Sequence, residues 1–381
     1  MQNFEFYNPT KIVFGQGEIA KLKELISASR VLLLYGEGSI KKNGVYDQVI
    51  SALGNKTLFE ISGVKPNPTY EKALEAVELI RKEKIEFILA VGGGSVIDSA
   101  KFIALAAPYS GEAWNILTQR DLALNEALPF GSVLTLPATG SEMNCYFVIS
   151  KGDDKLSSGS PLVYPKFSIL DPSVSFSLND RQVGNGVVDA FVHVMEQYLT
   201  ADNKAPLQDR FAEAVLKTLI EEGPKSYLTK DYDSRAAHMW CATMALSSVF
   251  GVGVSQDWST HMIGHELTAF YGMDHARSLA VVFPSMMWVM RKEKFSKIKQ
   301  YGERIWNIHV NSDEDVKKVI HVTEEFFQKL GVPTKLKDYG IGAEAVTKII
   351  ERFSSRGFEP MGESAGVTLE KVKEVLLGAL A

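Results

Sequence analysis

Cysteine is nearly missing: Cys145 and Cys241 are the only two in 381 residues. A disulfide framework is thereby excluded, both thiols read as small buried hydrophobes, and a reducing cytoplasm is the expected home. Positive charge is not in excess either. With 41 Lys and Arg against 46 Asp and Glu the net charge is −5, which leaves no basic footprint for nucleic acid. Long apolar runs are lacking as well. The stretch Ala280 to Met290 contains Pro284 and Ser285 and is too short to span a bilayer, so no membrane association is expected. The start, MQNFEFYNPTK, has no basic segment ahead of an apolar core and so does not resemble a secretory leader. Tandem repeats and low-complexity linkers are absent. What is present is an ordinary globular mixture, 45% hydrophobic and 23% charged, over a length that fits two domains.

The first half alternates apolar runs with helical patterns. RVLLLYG (30–36), KTLFEI (56–61) and IEFILAV (85–91) read as strands, the last near-continuously apolar, as a parallel strand covered on both faces must be. Between them, PNPTYEKALEAVELIRKEK repeats Ala73, Ala76, Val77 and Ile80 at helical spacing. SVLTLPATGSE and FSILDP add further strand–turn signals. This alternation predicts a doubly wound parallel α/β sheet over residues 1–178. Beyond Pro172 the pattern changes to helical runs at 181–200, 207–222, 234–250, 257–271, 315–330, 343–355 and 369–380, which predicts an all-α domain over 179–381.

Two glycine turns in the first half invite an anion. Gly92-Gly93-Gly94-Ser95 joins a strand to a helix, where backbone can approach a pyrophosphate and the helix start offers N–H groups and a positive dipole end. It is not the G-x-G-x-x-G fingerprint, and a plain tight turn is the competing reading. Asp98 and Lys101, further along the helix, also fit a surface i,i+3 pair. The second turn, Gly36-Glu37-Gly38-Ser39, follows the first sheet strand, where dinucleotide folds meet the adenosine ribose. Glu37 favours NAD by repelling a 2′-phosphate, whereas Lys41 and Lys42 favour NADP or are solvated loop charges.

Four of the seven histidines lie between 193 and 275. In NGVVDAFVHVMEQYL, Asn185, Asp189, His193 and Glu196 form one narrow polar stripe on a helix that is otherwise apolar. A carboxylate buried there needs a cation. His261 and His265 share a face of a second apolar helix, Gly272 breaks it, and His275 opens the next element. One Asp with two or three His suits Zn²⁺ or Fe²⁺. Spacing leaves His261/His265 as good a ligand pair as His261/His275. His238, His309 and His321 lack such company and read as structural.

Taken together, NPTKIVFGQGEIAKL, PNPTYE, AVGGGSVIDSAKFIA, LTLPATGSE, ILDP, NGVVDAFVHVMEQY, LQDRFAE and THMIGHELTAFYGMDHA resemble the iron-containing alcohol dehydrogenase family, in its butanol dehydrogenase and broad-specificity aldehyde reductase branch. The resemblance covers essentially the whole chain. It implies a dehydroquinate synthase-like fold with a dinucleotide domain, a helical domain, a metal in the cleft between them, and a homodimer. The implied activity is hydride transfer between NAD(H) or NADP(H) and a small alcohol or aldehyde. The implied ligands are Asp189, His193, His261 and His275, with His265 a substrate-side residue and candidate proton relay. Gly93, Gly94, Ser95, Asp98, Thr135, Thr139, Ser141 and Lys155 are the implied cofactor contacts, with Gly36, Glu37, Gly38 and Ser39 deciding cofactor choice. Many relatives carry glycine at the position of Glu37. Cys145-Tyr146-Phe147 stands where smaller residues are common, and is expected to crowd the nicotinamide or substrate side. An apolar wall of Phe147, Phe250 and Trp258 is expected to favour short aliphatic substrates. The same fold class hosts metal-dependent lyases, but a phosphate-bearing substrate would need a basic cluster, and Arg277 is the only nearby cation.

Overall fold

The computed structural model describes residues 1–119, 121–201 and 204–381. Two compact units emerge, Tyr7–Leu178 and Asn179–Ala381, the latter joined by Met1–Phe6. Those first six residues, which the expected boundary puts with the α/β domain, are tied to the helical unit by the Gln2 N–H donating to the Gly253 carbonyl at 2.8 Å.

Among the described residues the α/β unit contains eight strands: β1 (Lys11–Phe14), β2 (Arg30–Tyr35), β3 (Thr57–Ile61), β4 (Phe87–Gly93), β5 (Phe130–Leu136), β6 (Tyr146–Lys151), β7 (Asp154–Gly159) and β8 (Phe167–Leu170). Six form one sheet in the order β1-β8-β5-β4-β2-β3, every neighbouring pair parallel. Three longer helices cross over: α1 (Val45–Leu53), α2 (Tyr70–Glu83) and α3 (Gly94–Ala106). Leu32, Leu33, Leu34, Ile88, Leu89 and Ala90 are all fully buried. Consecutive burial means both sheet faces are covered, which explains why these strands read as unbroken apolar runs. On one face Val31, Leu33, Leu89, Val91, Val133 and Ile169 pack with Leu22, Val45, Val49 and Leu53. The antiparallel hairpin β6–β7 stands apart from the sheet. The four-residue β1, this polar hairpin and α1 were not anticipated, because each is short or weakly patterned.

The helical unit is built from α4 (Asp180–Tyr198), α5 (Pro206–Leu228), α6 (Tyr232–Ala245), α7 (Ser259–Tyr271), α8 (His275–Val289), α9 (Phe295–Ile305), α10 (Asp313–Lys329), α11 (Glu344–Ser355) and α12 (Leu369–Gly378). A capping box starts α4: the Asn179 side chain accepts from the Gln182 N–H, and the Gln182 side chain accepts from the Asn179 N–H. Val187, Val188 and Phe191 of α4 sit in one core with Leu216, Leu219, Ala242, Leu279 and Phe283. Helix α6 ends at Ala245, short of the expected 250. Ser248 and Gly253 adopt positive φ in the following segment, a backbone conformation no helix accommodates. Helix α8 runs through Pro284, so the apolar stretch noted in the sequence is a buried core helix. Among the described residues no helix is long and apolar enough to cross a membrane.

Candidate metal centre

Helices α4, α7 and α8 bring together Asp189, His193, His261 and His275. One ligand atom from each of the four lies within 4.8 Å of those of the others. Asp189, His193 and His261 are buried, and His275 is partly exposed. The Nε2 atoms of His193 and His261 stand 3.1 Å apart. The Asp189 Oδ1 stands 3.8 Å from His193 Nδ1 and 3.6 Å from His275 Nε2. Two imidazole nitrogens sharing one ion at ordinary bond lengths stand about 2.9–3.4 Å apart, from octahedral to tetrahedral. The spacing observed fits either geometry.

Protonation agrees with a ligand role. Burial, the largest influence, pushes the His193 imidazole down to about 4, so the ring is neutral and keeps a lone pair for a cation. His261 is oriented by Glu196, which lies three residues beyond His193 on α4. The Glu196 carboxylate meets His261 Nδ1 and also accepts the His261 backbone N–H at 3.2 Å. With Nδ1 held by a carboxylate, Nε2 is the atom that faces His193. The sequence placed Glu196 on the polar stripe but assigned it no task. Its i+3 spacing from His193 was the available signal.

His265 is left out of the four. Its ring lies 5.5 Å from that of His275 and 6.3 Å from that of His261, and it is partly exposed, as is His275. These two rings mark the accessible side of the cluster. Trp258 lies 5.3 Å from the His261 ring and 6.0 Å from that of His193, so it lines the site as expected. Phe250 is buried in the helical core. Phe147 is likewise buried, in the α/β unit against Phe102. Arg277 donates to Asn185 Oδ1 and the Gly331 carbonyl, which leaves it engaged within the helical unit.

In the α/β unit the sheet order gives the glycine turns their meaning. The chain runs outward from β2 to β3 on one side and from β4 to β5 and β8 on the other, so the order reverses between β2 and β4. Open parallel sheets bind ligands at such a switch point, beyond the carboxyl ends of the strands. Gly36, Glu37, Gly38 and Ser39 follow β2, while Gly93 ends β4 and Gly94 and Ser95 open α3. Glu37 and Ser39 are exposed, and Gly38 adopts φ +102°, a conformation that favours glycine. At Gly94 a Cβ would meet Thr139 Oγ1 at 2.3 Å, so glycine is what lets the Thr139 loop lie against the start of α3.

Asp98 and Lys101 are not a surface pair. Lys101 is fully buried and donates to Ser141 Oγ at 2.8 Å, Asn144 Oδ1 at 2.8 Å and the Tyr146 carbonyl at 2.7 Å. Burial pushes its ammonium down to about 8, against the opposing pull of Asp98. Asp98 accepts from Ser141 Oγ and the Val148 N–H. Thr135 is buried at the end of β5, and Lys155 lies on β7. Lys41 is drawn to Glu60, 3.7 Å away, and over the Tyr46 ring, while Lys42 is exposed.

Comparison with known proteins agrees along the whole chain. Residues 9–172 match the iron-containing alcohol dehydrogenase family, and residues 184–377 match the C-terminal part of the Fe-containing alcohol dehydrogenase family. The chain is 48% identical to the NADPH-dependent aldehyde reductase YqhD of Escherichia coli (strain K12), over 98% of this chain and 99% of that one. It is 40% identical to the probable NADH-dependent butanol dehydrogenase 1 of Bacillus subtilis (strain 168), over the full length of both. The crystal structure of E. coli K-12 YqhD superposes with a TM-score of 0.97 at 48% identity, covering 99% of each chain. The chain belongs to the iron-containing alcohol dehydrogenase family.

Proposed function

We propose that this protein is a metal-dependent alcohol dehydrogenase or aldehyde reductase acting on small, aliphatic substrates with NAD(H) or NADP(H). The observation that carries the reading is the convergence of Asp189, His193, His261 and His275 within 4.8 Å. These four side chains hold one divalent ion, Fe²⁺ as the family name implies, with Zn²⁺ as the alternative that the same donors accept. When bound, the ion polarises the substrate oxygen as a Lewis acid, and the dinucleotide supplies or accepts the hydride.

The remaining roles belong to the chain. Asp189 supplies the negative charge, and Glu196 keeps the His261 Nε2 turned inward. Trp258 presents an apolar surface beside the two buried imidazoles, which excludes water and suits a short aliphatic chain. His265, on the accessible side, relays a proton to solvent. In the α/β unit Gly93, Gly94, Ser95 and Asp98 serve the pyrophosphate and nicotinamide ribose, together with Thr135, Thr139, Ser141 and Lys155. The turn from Gly36 to Ser39 meets the adenosine ribose, and Glu37 at its tip sets the choice between cofactors. Two buried free cysteines support a cytoplasmic home. Exposed Phe4, Phe6, Tyr7 and Phe14, the last on edge strand β1, support a homodimer.

The test is oxidation of NADH and NADPH by a series of short aldehydes, using chelator-stripped protein with and without added Fe²⁺ or Zn²⁺. Metal-dependent oxidation is expected. No turnover with either nucleotide on any aldehyde, with metal restored, would remove the proposal.

A further inference from the structure

Asn185 lies one turn before Asp189 on α4, and its side-chain amide divides between two residues that bracket His275. The Nδ2 donates to Asp274 Oδ2 at 2.8 Å, and the Oδ1 accepts from Arg277 Nε at 3.1 Å. Asp274 occupies the N-cap position of α8, where an aspartate ordinarily accepts from backbone N–H groups of the first turn. Here it makes no such bond. Its carboxylate accepts instead from Asn185 and, at 2.7 Å, from Arg181 Nε, both of them on α4. Arg277 is steadied further by donating to the Gly331 carbonyl at 3.0 Å.

On its other side α8 is held by close packing. Ser278 Oγ donates to the His275 carbonyl at 2.7 Å, and a Cβ on Gly264 of α7 would meet that same Oγ at 2.9 Å. The first turn of α8 is therefore seated against α7 by contact and tied to α4 by the Asn185 amide and the Arg181–Asp274 pair.

We propose that Asn185 is a positioning residue for the metal centre, holding the start of α8 so that His275 stays within reach of the ion held by Asp189. This rests on the ligand assignment proposed above. A helix start without a side-chain cap has orphan N–H groups and opens readily. Metal–nitrogen bonds tolerate only a few tenths of an ångström, so a drift of His275 by about one ångström removes a ligand. The amide is suited to the task because it donates to Asp274 and accepts from Arg277 at once. Aspartate would repel Asp274, and alanine would remove the amide's bond to each, leaving Asp274 to Arg181 and Arg277, which stands 3.5 Å from it.

The experiment measures Fe²⁺ affinity of stripped protein under anaerobic conditions, by competition with a chromogenic chelator, for four variants and the parent. Asn185→Ala is expected to weaken binding about 10–100-fold, with Asp274→Ala changing it in the same direction. His275→Ala should also weaken binding, and adding Asn185→Ala to it should cause no further loss, since the two act through one side chain. Unchanged affinity in both Asn185→Ala and Asp274→Ala would overturn the proposal. So would an Asn185→Ala loss that persists in full without His275, which would mark a general structural role. Undiminished binding by His275→Ala would instead overturn the ligand assignment, and the proposal with it. Melting of the metal-free variants shows whether they are folded.

Discussion

The two units each bury a polar cluster, and the clusters are built on opposite plans. In the α/β unit Asp98 and Lys101 bring both signs of charge, and the Lys101 ammonium has three oxygens to donate to. The charges of that cluster are balanced from within. In the helical unit Asp189 and Glu196 meet three imidazoles with no lysine or arginine among them, and burial keeps His193 neutral. Such a group has electron pairs to offer and calls for a cation from outside. The difference separates a cluster whose charges are balanced from within from one that needs a cation, although both are buried polar residues on helices.

The comparison breaks most easily at Asp189. Asp189→Ala should abolish metal retention and lower kcat by about 10³-fold, the several kcal/mol that Lewis-acid catalysis supplies. Metal analysis and steady-state kinetics check this, and full activity with normal metal content would erase the distinction. Lys101→Met tests the other side. It leaves Ser141, Asn144 and Asp98 short of a buried partner, and a loss of about 3–5 kcal/mol in urea unfolding is expected. A stability change within error would show that the Lys101 cluster is not a structural device. Glu196→Gln, which swaps the carboxylate on His261 for an amide, should weaken metal binding about 10–100-fold and leave the fold intact. The smallest effect concerns cofactor choice. Glu37→Gly should shift the ratio of NADPH to NADH turnover about tenfold towards NADPH on one aldehyde, since a single exposed charge is removed. No shift would leave Glu37 without a role.

Much of this was legible in the sequence because it is written locally. The strands β2, β3 and β4, helix α2 and the polar stripe of α4 each follow from a short repeat that needs no distant partner. Lys101 was misread for the converse reason. Nothing near it in the chain shows that residues 141–146 wrap its ammonium, so an i,i+3 pair with Asp98 looked exposed.

By itself the sequence determined the kinds of element, the glycine turns and the placing of Asp189 with His193, and of His261 with His265, on single helix faces. These depend on periods of two and 3.6 residues that any segment carries within itself. Helix spacing left His265 and His275 equal; the resemblance named His275, tertiary structure is what brings it to the other three, and tertiary structure alone turned Glu196 onto His261. It also decided that two distant turns flank one reversal of strand order. Those outcomes depend on how α4, α7 and α8 cross and on which strand pairs with which. Non-local burial sets both.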